Sequence, residues 1–126
     1  MTIFDPDVDR FAEIPVASLA YLGDAVYELH VRLKYLQPPR SPNAYHKLVV
    51  SDVRAESQAR QLDRLELTAS ESDLVRRGRN AAGSASRQID PNIYQKATGF
   101  EALIGYLYLS DRDRLARILQ QTDNET

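Results

Sequence analysis

Two apolar helix patterns in this chain each contain a glycine, and this feature limits the fold more than any other. In residues 19–33 and 100–107, apolar side chains recur three and four positions apart, which predicts two amphipathic helices. Gly23 lies inside the first pattern and Gly105 inside the second. A glycine within a helix costs about 1 kcal/mol relative to alanine, so each helix is expected to approach another backbone closely. The apolar positions are Leu19, Leu22, Val26, Leu29 and Leu33 in the first pattern, and Phe100, Leu103, Ile104 and Leu107 in the second.

Prolines mark the boundaries of the first two helical regions. Pro15 suits the first turn of a helix, because its missing N–H has no partner to lose there, and this helix should end before Pro38. The pair at 41–42 is Ser-Pro, a second start signal. The residues from there to about Leu65 are compatible with a helix, and Ser51-Asp52 marks a kink or a break in it.

Capping residues mark the remaining helices. Thr68 and Glu71 have the spacing of a capping box, which predicts a short helix ending at about Arg79. Residues 80–91 are rich in glycine, serine and proline and predict a loop. Ser110 is expected to cap a last helix, whose core-facing residues would be Leu115, Ile118 and Leu119. No segment alternates convincingly between apolar and polar residues, so we predict an all-α bundle of five to seven helices.

Length and composition exclude several classes of protein. The 126 residues fit one domain, and we expect a single domain over residues 1–126 with flexible ends at 1–12 and 121–126. The chain has no cysteine, which excludes thiolate catalysis, cysteine-ligated zinc and disulfide scaffolds. No apolar run approaches the roughly 20 residues that span a bilayer, and the acidic N-terminus does not resemble a signal peptide. These features predict a cytoplasmic protein.

The charges are distributed unevenly along the chain. The net charge is −2, which does not by itself favour a nucleic-acid partner. Residues 76–96, however, contain five basic side chains and one acidic one, and they include the run Arg76-Arg77-Gly78-Arg79-Asn80. Guanidinium groups match phosphate oxygens with two parallel hydrogen bonds, so this segment is a candidate phosphate-binding surface. The alternative is a basic helix end that offsets its own dipole.

Two carboxylates accompany the two glycines. Asp24 follows Gly23 and shares a helix face with small and aromatic residues, so we expect it to be partly buried; Glu101 precedes Gly105 by four positions. If the helices cross at their glycines, the two carboxylates meet, and they repel each other unless a cation joins them. Carboxylate oxygens completed by water and phosphate describe a magnesium site. The alternatives are a surface aspartate beside a packing glycine and two unrelated salt bridges.

The sequence supports other chemistries poorly. His30 and His46 are the two histidines, and neither lies in an HExxH or serine-triad context. His30 is expected on the flank of the first helix, where a metal role has little support. His46 precedes Lys47 near a helix start and could contact phosphate, although an ordinary surface role is the simpler alternative. The chain contains no GxxxxGK[ST] or GxGxxG loop, so nucleotide-binding folds are not indicated.

The acidic segments resemble a known family. The run Leu19-Ala-Tyr-Leu-Gly-Asp-Ala-Val-Tyr-Glu28 is similar to the signature helix of the ribonuclease III catalytic domain, and Phe100-Glu-Ala-Leu-Ile-Gly105 is similar to its second acidic helix. The short length, the lack of a double-stranded RNA-binding domain and the Arg-Arg-Gly-Arg-Asn run resemble one branch, Mini-ribonuclease III. The resemblance covers about residues 13–119.

This resemblance implies a magnesium-dependent endoribonuclease that cuts double-stranded RNA as a homodimer, with each subunit cutting one strand. The branch further implies maturation of the ends of the 23S ribosomal RNA precursor, with or without assistance from a ribosomal protein. Asp24 and Glu101 match the family's catalytic metal ligands. The residues expected to hold RNA are Arg76, Arg77, Arg79, Asn80, Arg87, His46 and Lys47.

The match to the family pattern is incomplete. Full-length family members have further acidic residues seven and four positions before the aspartate and three before the glutamate, where this chain has Ala17, Ala20 and Thr98. We therefore expect one tightly held magnesium ion, with a second recruited by substrate. The alternatives are a degenerate helical dimer that binds RNA or ribosomal proteins without cutting, and a helical dimerisation module with no RNA role.

Overall fold

The structure, a computed structural model, describes residues 5, 8, 11–83 and 89–124. Within these residues the chain forms one short 3-10 helix and six α-helices, which confirms the predicted all-α fold. The 3-10 helix spans Phe11–Glu13, and the α-helices are α1 (Val16–Lys34), α2 (Pro42–Val53), α3 (Ala55–Arg64), α4 (Ala69–Ala81), α5 (Pro91–Ser110) and α6 (Arg112–Asn124). No helix in the described ranges is both long enough and apolar enough to cross a membrane.

Helix α5 lies at the centre of the bundle. It packs against α1, α3, α4 and α6, and a helix with neighbours on most sides must be apolar nearly all round. Its side chains Phe100, Ala102, Leu103 and Ile104 have no exposed surface. The predicted core positions of α6 are also buried and complete the core: Leu115, Ile118 and Leu119.

Helices α1 and α5 cross at their glycines, as the sequence predicted. A Cβ atom placed on Gly23 would lie 1.7 Å from the backbone oxygen of Glu101, and one placed on Gly105 would lie 2.0 Å from the backbone oxygen of Leu19. These distances leave no room for any side chain. Each glycine therefore lets the backbone of one helix touch the backbone of the other.

This contact decides which face of α1 is buried. The buried face includes only part of the predicted apolar pattern. Leu19 is buried, but Leu29 is 48% exposed and Leu33 is 61% exposed. The buried positions follow the glycine instead and include Tyr27 and Val31. The pattern at 19–33 therefore describes mainly an apolar face on the outside of the isolated chain.

The capping signals predict the starts of α2 and α4 correctly. The Ser41 side chain accepts a hydrogen bond from the backbone N–H of Ala44 (3.2 Å), and Thr68 forms the predicted reciprocal capping box with Glu71. The break in the second helical region lies at Arg54, which has an extended conformation (ψ 153°). It falls two residues beyond the predicted position.

The C-terminal part differs from the prediction in two details. Ser110 is the last residue of α5 rather than a cap, and the Asp111 side chain caps α6 by accepting the backbone N–H of Arg114 (3.0 Å). The carboxylate of Asp111 can accept this bond, whereas the Ser110 hydroxyl is already donated to the Tyr106 carbonyl (2.7 Å). Helix α6 also continues past residue 121 to Asn124, because Thr122 is buried against the bundle with 2% of its surface exposed.

Candidate active site

Asp24 and Glu101 lie together at the crossing of α1 and α5. The contact between Gly23 and the Glu101 backbone brings the two helices close enough for a side-chain hydrogen bond between the carboxyl groups. Both line an open depression of about 260 Å³. The other residues around it are mostly small or aromatic: Ala17, Ala20, Tyr21, Ala81, Ala82, Tyr94 and Thr98.

The two carboxyl groups have different environments. Glu101 is half-buried, whereas Asp24 is exposed, so the predicted partial burial of Asp24 is wrong for the isolated chain. The reason is the size of its neighbours, because the alanines at positions 17, 20, 81 and 82 leave that side of the depression open. Solvent therefore reaches the site from the Asp24 side.

Burial is the main influence on the ionisation of Glu101. Desolvation, the hydrogen bond shared with Asp24 and the charge of Asp24 together raise the pKa of Glu101 from 4.5 to about 8. A hydrogen bond from the Gln58 side chain acts in the opposite direction and lowers this pKa. Without a cation, burial and Asp24 therefore favour the protonated form of Glu101.

The donor set fits a hard divalent cation that keeps much of its hydration. Two carboxylates face an open depression, and magnesium is commonly bound by one or two carboxylates together with water and substrate phosphate. A cation at this position would also favour the ionised form of Glu101, because opposite charge lowers a carboxyl pKa. Among the described residues, no group of three or more histidine, cysteine, aspartate or glutamate side chains converges on one point. A site with many protein ligands is therefore not formed there.

Two further residues with side-chain oxygens, Thr98 and Glu28, lie near the carboxylate pair but have other partners. Thr98 lines the depression, and its hydroxyl group donates to the Tyr94 carbonyl (3.0 Å). Glu28 lies one turn after Asp24 on α1, where it forms an ion pair with Arg32 (3.3 Å). It borders a different depression between α1 and α2.

The basic run lies in the helix that was predicted to end at about Arg79, and the structure extends this helix by two residues. Helix α4 continues to Ala81, so Arg76, Arg77, Arg79 and Asn80 all lie in its last two turns. Helical structure persists there because Gly78 packs against α5, where a Cβ atom would approach the Cα atom of Gly99 to 3.0 Å. Arg87 falls outside the described residues.

The end of α4 lies next to the carboxylate pair. A second depression of about 260 Å³ contains Arg76, Arg79, Asn80 and Gln95. Ala81, the last residue of α4, and the following Ala82 border the carboxylate depression. Arg79 donates a hydrogen bond to the Asn92 side chain (2.9 Å) and Arg76 pairs with Asp73. The two guanidinium groups thus bond to Asp73 and Asn92, and neither pairs with Asp24 or Glu101.

His46 and Lys47 are exposed on α2. His46 borders the depression of about 200 Å³ that also contains Glu28 and Arg32. His46 therefore faces the part of α1 that lies one turn after Asp24. It borders a different depression from the one that contains Arg76 and Arg79. His30, in contrast, contacts both carboxylate oxygens of Asp123 at 3.1 Å and belongs to the packing of α1 against α6.

Gln58 is the residue near the site that sequence spacing did not indicate. It lies on α3, has 1% of its surface exposed and is one of the groups that influence the pKa of Glu101. A polar residue in an amphipathic helix is normally expected on the outer face. The buried face of α3 carries three polar side chains, those of Ser57, Gln58 and Gln61. Their shared helix face was the one sequence feature that could have indicated a polar group near the site.

Comparison with known proteins agrees with this geometry. The model of the ribonuclease III domain matches residues 17–112. The chain is similar to proteins named Mini-ribonuclease 3 from three cyanobacteria. For the protein from Thermosynechococcus vestitus, identity is 54% over 110 residues, which are 86% of this chain and 73% of the relative. For the protein from Synechocystis it is 57% over 107 residues (83% and 74%), and for that from Gloeobacter violaceus it is 50% over 119 residues (93% and 88%).

A solved structure supports the same relationship. The crystal structure of a protein from Fusobacterium nucleatum superposes with a TM-score of 0.84 at 25% sequence identity and covers 94% of this chain and 98% of its own. The resemblance to the Mini-ribonuclease III branch, stated from the two acidic segments, is confirmed by the sequence relatives. The chain therefore belongs to the ribonuclease III family and is an endoribonuclease.

Proposed function

We propose that this endoribonuclease hydrolyses phosphodiester bonds in double-stranded RNA, using magnesium held by Asp24 and Glu101. The observation that carries the proposal is the meeting of these two carboxyl groups at the glycine crossing of α1 and α5. The family implies a divalent metal ion, and the oxygen-only donor set favours magnesium among the available divalent ions.

The residues of the chain have distinct parts in this mechanism. Asp24 offers its carboxylate from the solvent side, and Glu101 offers its own from the half-buried side. When bound, a magnesium ion supplies activation of water and stabilisation of the leaving oxygen. A cation held by the two groups would favour the ionised form of Glu101. The products would carry 5′-phosphate and 3′-hydroxyl ends.

The arginines at the end of α4 are proposed to hold the RNA backbone. Double-stranded RNA is recognised mainly through phosphates and 2′-hydroxyl groups. Arg76, Arg77 and Arg79 lie in the last two turns of α4, and the last residue of this helix, Ala81, borders the carboxylate depression. A phosphate bound by these arginines would therefore lie on the helix that leads to the proposed site of cleavage. We propose the same RNA-binding role for four further residues that were predicted from the sequence: Asn80, His46, Lys47 and Arg87.

We further propose that the protein works as a homodimer. The exposed face of α1 forms, with α5 and Arg112, an apolar depression of about 430 Å³. An exposed apolar surface of this kind marks an interaction site, and a two-fold axis through it would be self-complementary. The residues that line it are Leu22, Ala25, Val26, Leu29, Tyr108 and Arg112.

The biological substrate is proposed from the resemblance alone. Similarity to the Mini-ribonuclease III branch supports the 23S ribosomal RNA precursor as the target, with or without a ribosomal protein that assists. A cytoplasmic location follows from that substrate and agrees with the absence of cysteine. Cleavage of the two ends of this precursor, compared with an unrelated duplex, tests the substrate separately from the chemistry.

One experiment tests the chemistry. The wild-type protein, Asp24→Asn, Glu101→Gln and Glu28→Gln are incubated with a short RNA duplex, with and without magnesium. We expect cleavage only with magnesium, a loss of several orders of magnitude in the first two variants, and near-normal cleavage in Glu28→Gln, because Glu28 lies outside the carboxylate depression. Near-normal cleavage by either of the first two variants would remove that residue from the active site.

One observation favours a second candidate function. The described residues bring only two carboxylates together, and Ala17, Ala20 and Thr98 stand where the family has further acids. A degenerate dimer that binds RNA or ribosomal proteins without cutting would have such a site. It predicts duplex binding that is independent of magnesium and no cleavage at any metal concentration.

A further inference from the structure

We infer that the hydroxyl group of Tyr94 contacts a 2′-hydroxyl group of the RNA strand that is cut, and so helps the protein to select RNA over DNA. The inference rests on the proposed function. It adds a residue that recognises the sugar, whereas the arginines of α4 are proposed to bind phosphate. Tyr94 would touch the substrate directly and take no part in holding the metal ion.

Tyr94 lies near the start of α5, a segment that borders both depressions of the proposed RNA-binding surface. Tyr94 itself borders the carboxylate depression, and the next residue, Gln95, borders the depression that contains Arg76 and Arg79. Glu101 follows Tyr94 on the same helix by about two turns, or about 10 Å along the helix axis. An RNA strand that runs from the arginines to the carboxylates would therefore pass the start of α5.

The hydroxyl group of Tyr94 is available to a ligand. It forms no hydrogen bond with the described residues. It is also open to solvent, because the one buried side-chain oxygen without a partner in that part of the chain belongs to Gln61. The hydroxyl group of Thr98, which lines the same depression, is instead donated to the Tyr94 backbone carbonyl (3.0 Å). Tyr94 therefore offers the depression a polar group that the protein itself does not use.

A second tyrosine borders the same depression but is less suited to hold one group of the substrate. Tyr21 lies on α1 and has 84% of its surface exposed. Ordering such a side chain on binding costs conformational entropy. The ring of Tyr94 is half-buried, so packing already limits its movement. This difference favours Tyr94 as the residue that contacts a fixed position of the strand.

The chemistry of a tyrosine hydroxyl group fits a 2′-hydroxyl group. Each of the two can donate and accept a hydrogen bond. Arginine side chains only donate, which suits phosphate oxygens, and the carboxylates of Asp24 and Glu101 are assigned to the metal ion in the proposed function. The 2′-hydroxyl group is also the part of the backbone that distinguishes RNA from DNA. A contact with Tyr94 would therefore contribute to the choice of substrate.

The test combines Tyr94→Phe with single 2′-deoxy nucleotides. Short RNA duplexes carry one 2′-deoxy nucleotide in the cut strand, at each position around the cleavage site in turn, and kcat/KM is measured for each duplex. On the unmodified duplex, Tyr94→Phe should lower kcat/KM by about 3- to 10-fold, the effect of one neutral hydrogen bond. At one position, the 2′-deoxy nucleotide should cause a similar loss in the wild type and a loss of less than about twofold in Tyr94→Phe. At the other positions the two proteins should respond equally.

Tyr35→Phe is the matched control for removal of a tyrosine hydroxyl group. The Tyr35 hydroxyl group donates to Asp52 (2.9 Å), and Tyr35 borders neither the carboxylate depression nor that of the arginines. The control should therefore unfold at a lower temperature and cleave with the kcat/KM of the wild type. Tyr94→Phe should keep the melting temperature of the wild type, because it removes no hydrogen bond within the described residues.

Three results would overturn the inference. Equal kcat/KM for the wild type and Tyr94→Phe on the unmodified duplex would mean that the hydroxyl group contacts no part of the substrate. A loss in Tyr94→Phe that adds to the 2′-deoxy loss at every position would assign the hydroxyl group to a phosphate oxygen. A non-additive position found with Tyr21→Phe and not with Tyr94→Phe would assign the sugar to the other tyrosine. In each case the wild type still cleaves RNA, so the proposed function stands.

Failure of the proposed function would give a different result. A wild-type protein that binds the duplex and does not cleave it at any magnesium concentration contradicts the proposed chemistry. The same set of duplexes and variants is then compared by the Kd of duplex binding. A non-additive position in those Kd values would still support the contact between Tyr94 and the 2′-hydroxyl group, and its absence would overturn it.

Discussion

The burial of Glu101 predicts that the metal-free protein loses stability as the pH rises. In the unfolded chain this carboxyl ionises near 4.5, and in the folded protein it ionises near 8. Between these values the folded state binds a proton that the unfolded state does not, so the free energy of unfolding falls with increasing pH. The stabilisation is complete below about pH 4.5 and is lost as the pH passes through 8.

The pKa difference sets the size of the effect. At about 1.4 kcal/mol for each pH unit, the interval from 4.5 to about 8 corresponds to about 5 kcal/mol. Solvent reaches the pair from the exposed side of Asp24 and weakens its interaction with Glu101, so we expect roughly half of this, about 2 to 3 kcal/mol. Glu101→Gln has no proton to lose, and its stability should lack this component.

The assay is urea unfolding in the presence of a chelator, followed by circular dichroism at several values between about pH 5 and about pH 8. The difference between the wild type and Glu101→Gln isolates Glu101, because all other ionisable groups are common to the two proteins. Glu28→Gln serves as a matched control and should follow the wild type. Parallel curves for the wild type and Glu101→Gln would refute the argument from burial.

Adding magnesium provides the reciprocal measurement. A ligand that binds only the folded state at about 100 times its Kd stabilises that state by about 2.7 kcal/mol. At pH 8 the ion should therefore restore stability to the wild type and have little effect on Glu101→Gln. Equal stabilisation of both proteins would place the ion elsewhere.

Three further substitutions test the helix crossing, the basic helix end and the exposed face of α1. Gly23→Ala introduces a Cβ atom 1.7 Å from a backbone oxygen, and thermal unfolding should show a loss of about 3 kcal/mol or more; near-wild-type stability would contradict the crossing. Replacing Arg76, Arg77 and Arg79 together with alanine should flatten the salt dependence of duplex binding by roughly two to three units, whereas an unchanged slope with lower stability would support the helix-dipole alternative. Leu29→Glu should give a folded monomer in light scattering, and a wild type that is itself monomeric at micromolar concentration would exclude the dimer.

The crossing of α1 and α5 could be predicted from sequence because a glycine within a helix has few explanations. Gly23 and Gly105 each cost helix stability, and close backbone contact is a reason to keep them. Asp24 and Glu101 are fixed to those glycines by short sequence spacings, so their meeting follows from the crossing. The central position of α5 follows in the same way from apolar residues such as Phe100 and Leu103, which have no exposed surface.

The exposed side of α1 could not be predicted, because periodicity identifies an apolar face without identifying what covers it. The positions of Leu29 and Leu33 satisfy the spacing of a core-facing pattern, yet both are exposed. The exposure of Asp24 depends on the small side chains of Ala81, at the end of α4, and of the following Ala82. These two residues are 57 and 58 positions after Asp24 in the sequence. Contacts of that separation are set by the packing of α4 on α5 and leave no local signal.

The contrast between Glu71 and Glu101 supports the proposed cation site. Glu71 is buried with 7% exposure, and both of its carboxylate oxygens accept hydrogen bonds from Arg114 at 2.9 Å. This contact holds the pKa of Glu71 below its ordinary value. At this buried position the chain therefore pairs a carboxylate with one of its own arginines.

At the pair formed by Asp24 and Glu101, in contrast, the chain supplies no arginine to the carboxyl groups within the described residues. Arg79 lies on the neighbouring helix, but it donates to the Asn92 side chain, and no lysine or arginine among the described residues pairs with Asp24 or Glu101. The half-buried carboxyl group of Glu101 thus keeps a raised pKa, which costs stability whenever it ionises. A perturbed carboxyl group in an open depression is a common property of functional sites. An arginine placed there would stabilise the fold, but it would also occupy the position proposed here for a metal ion and an RNA phosphate.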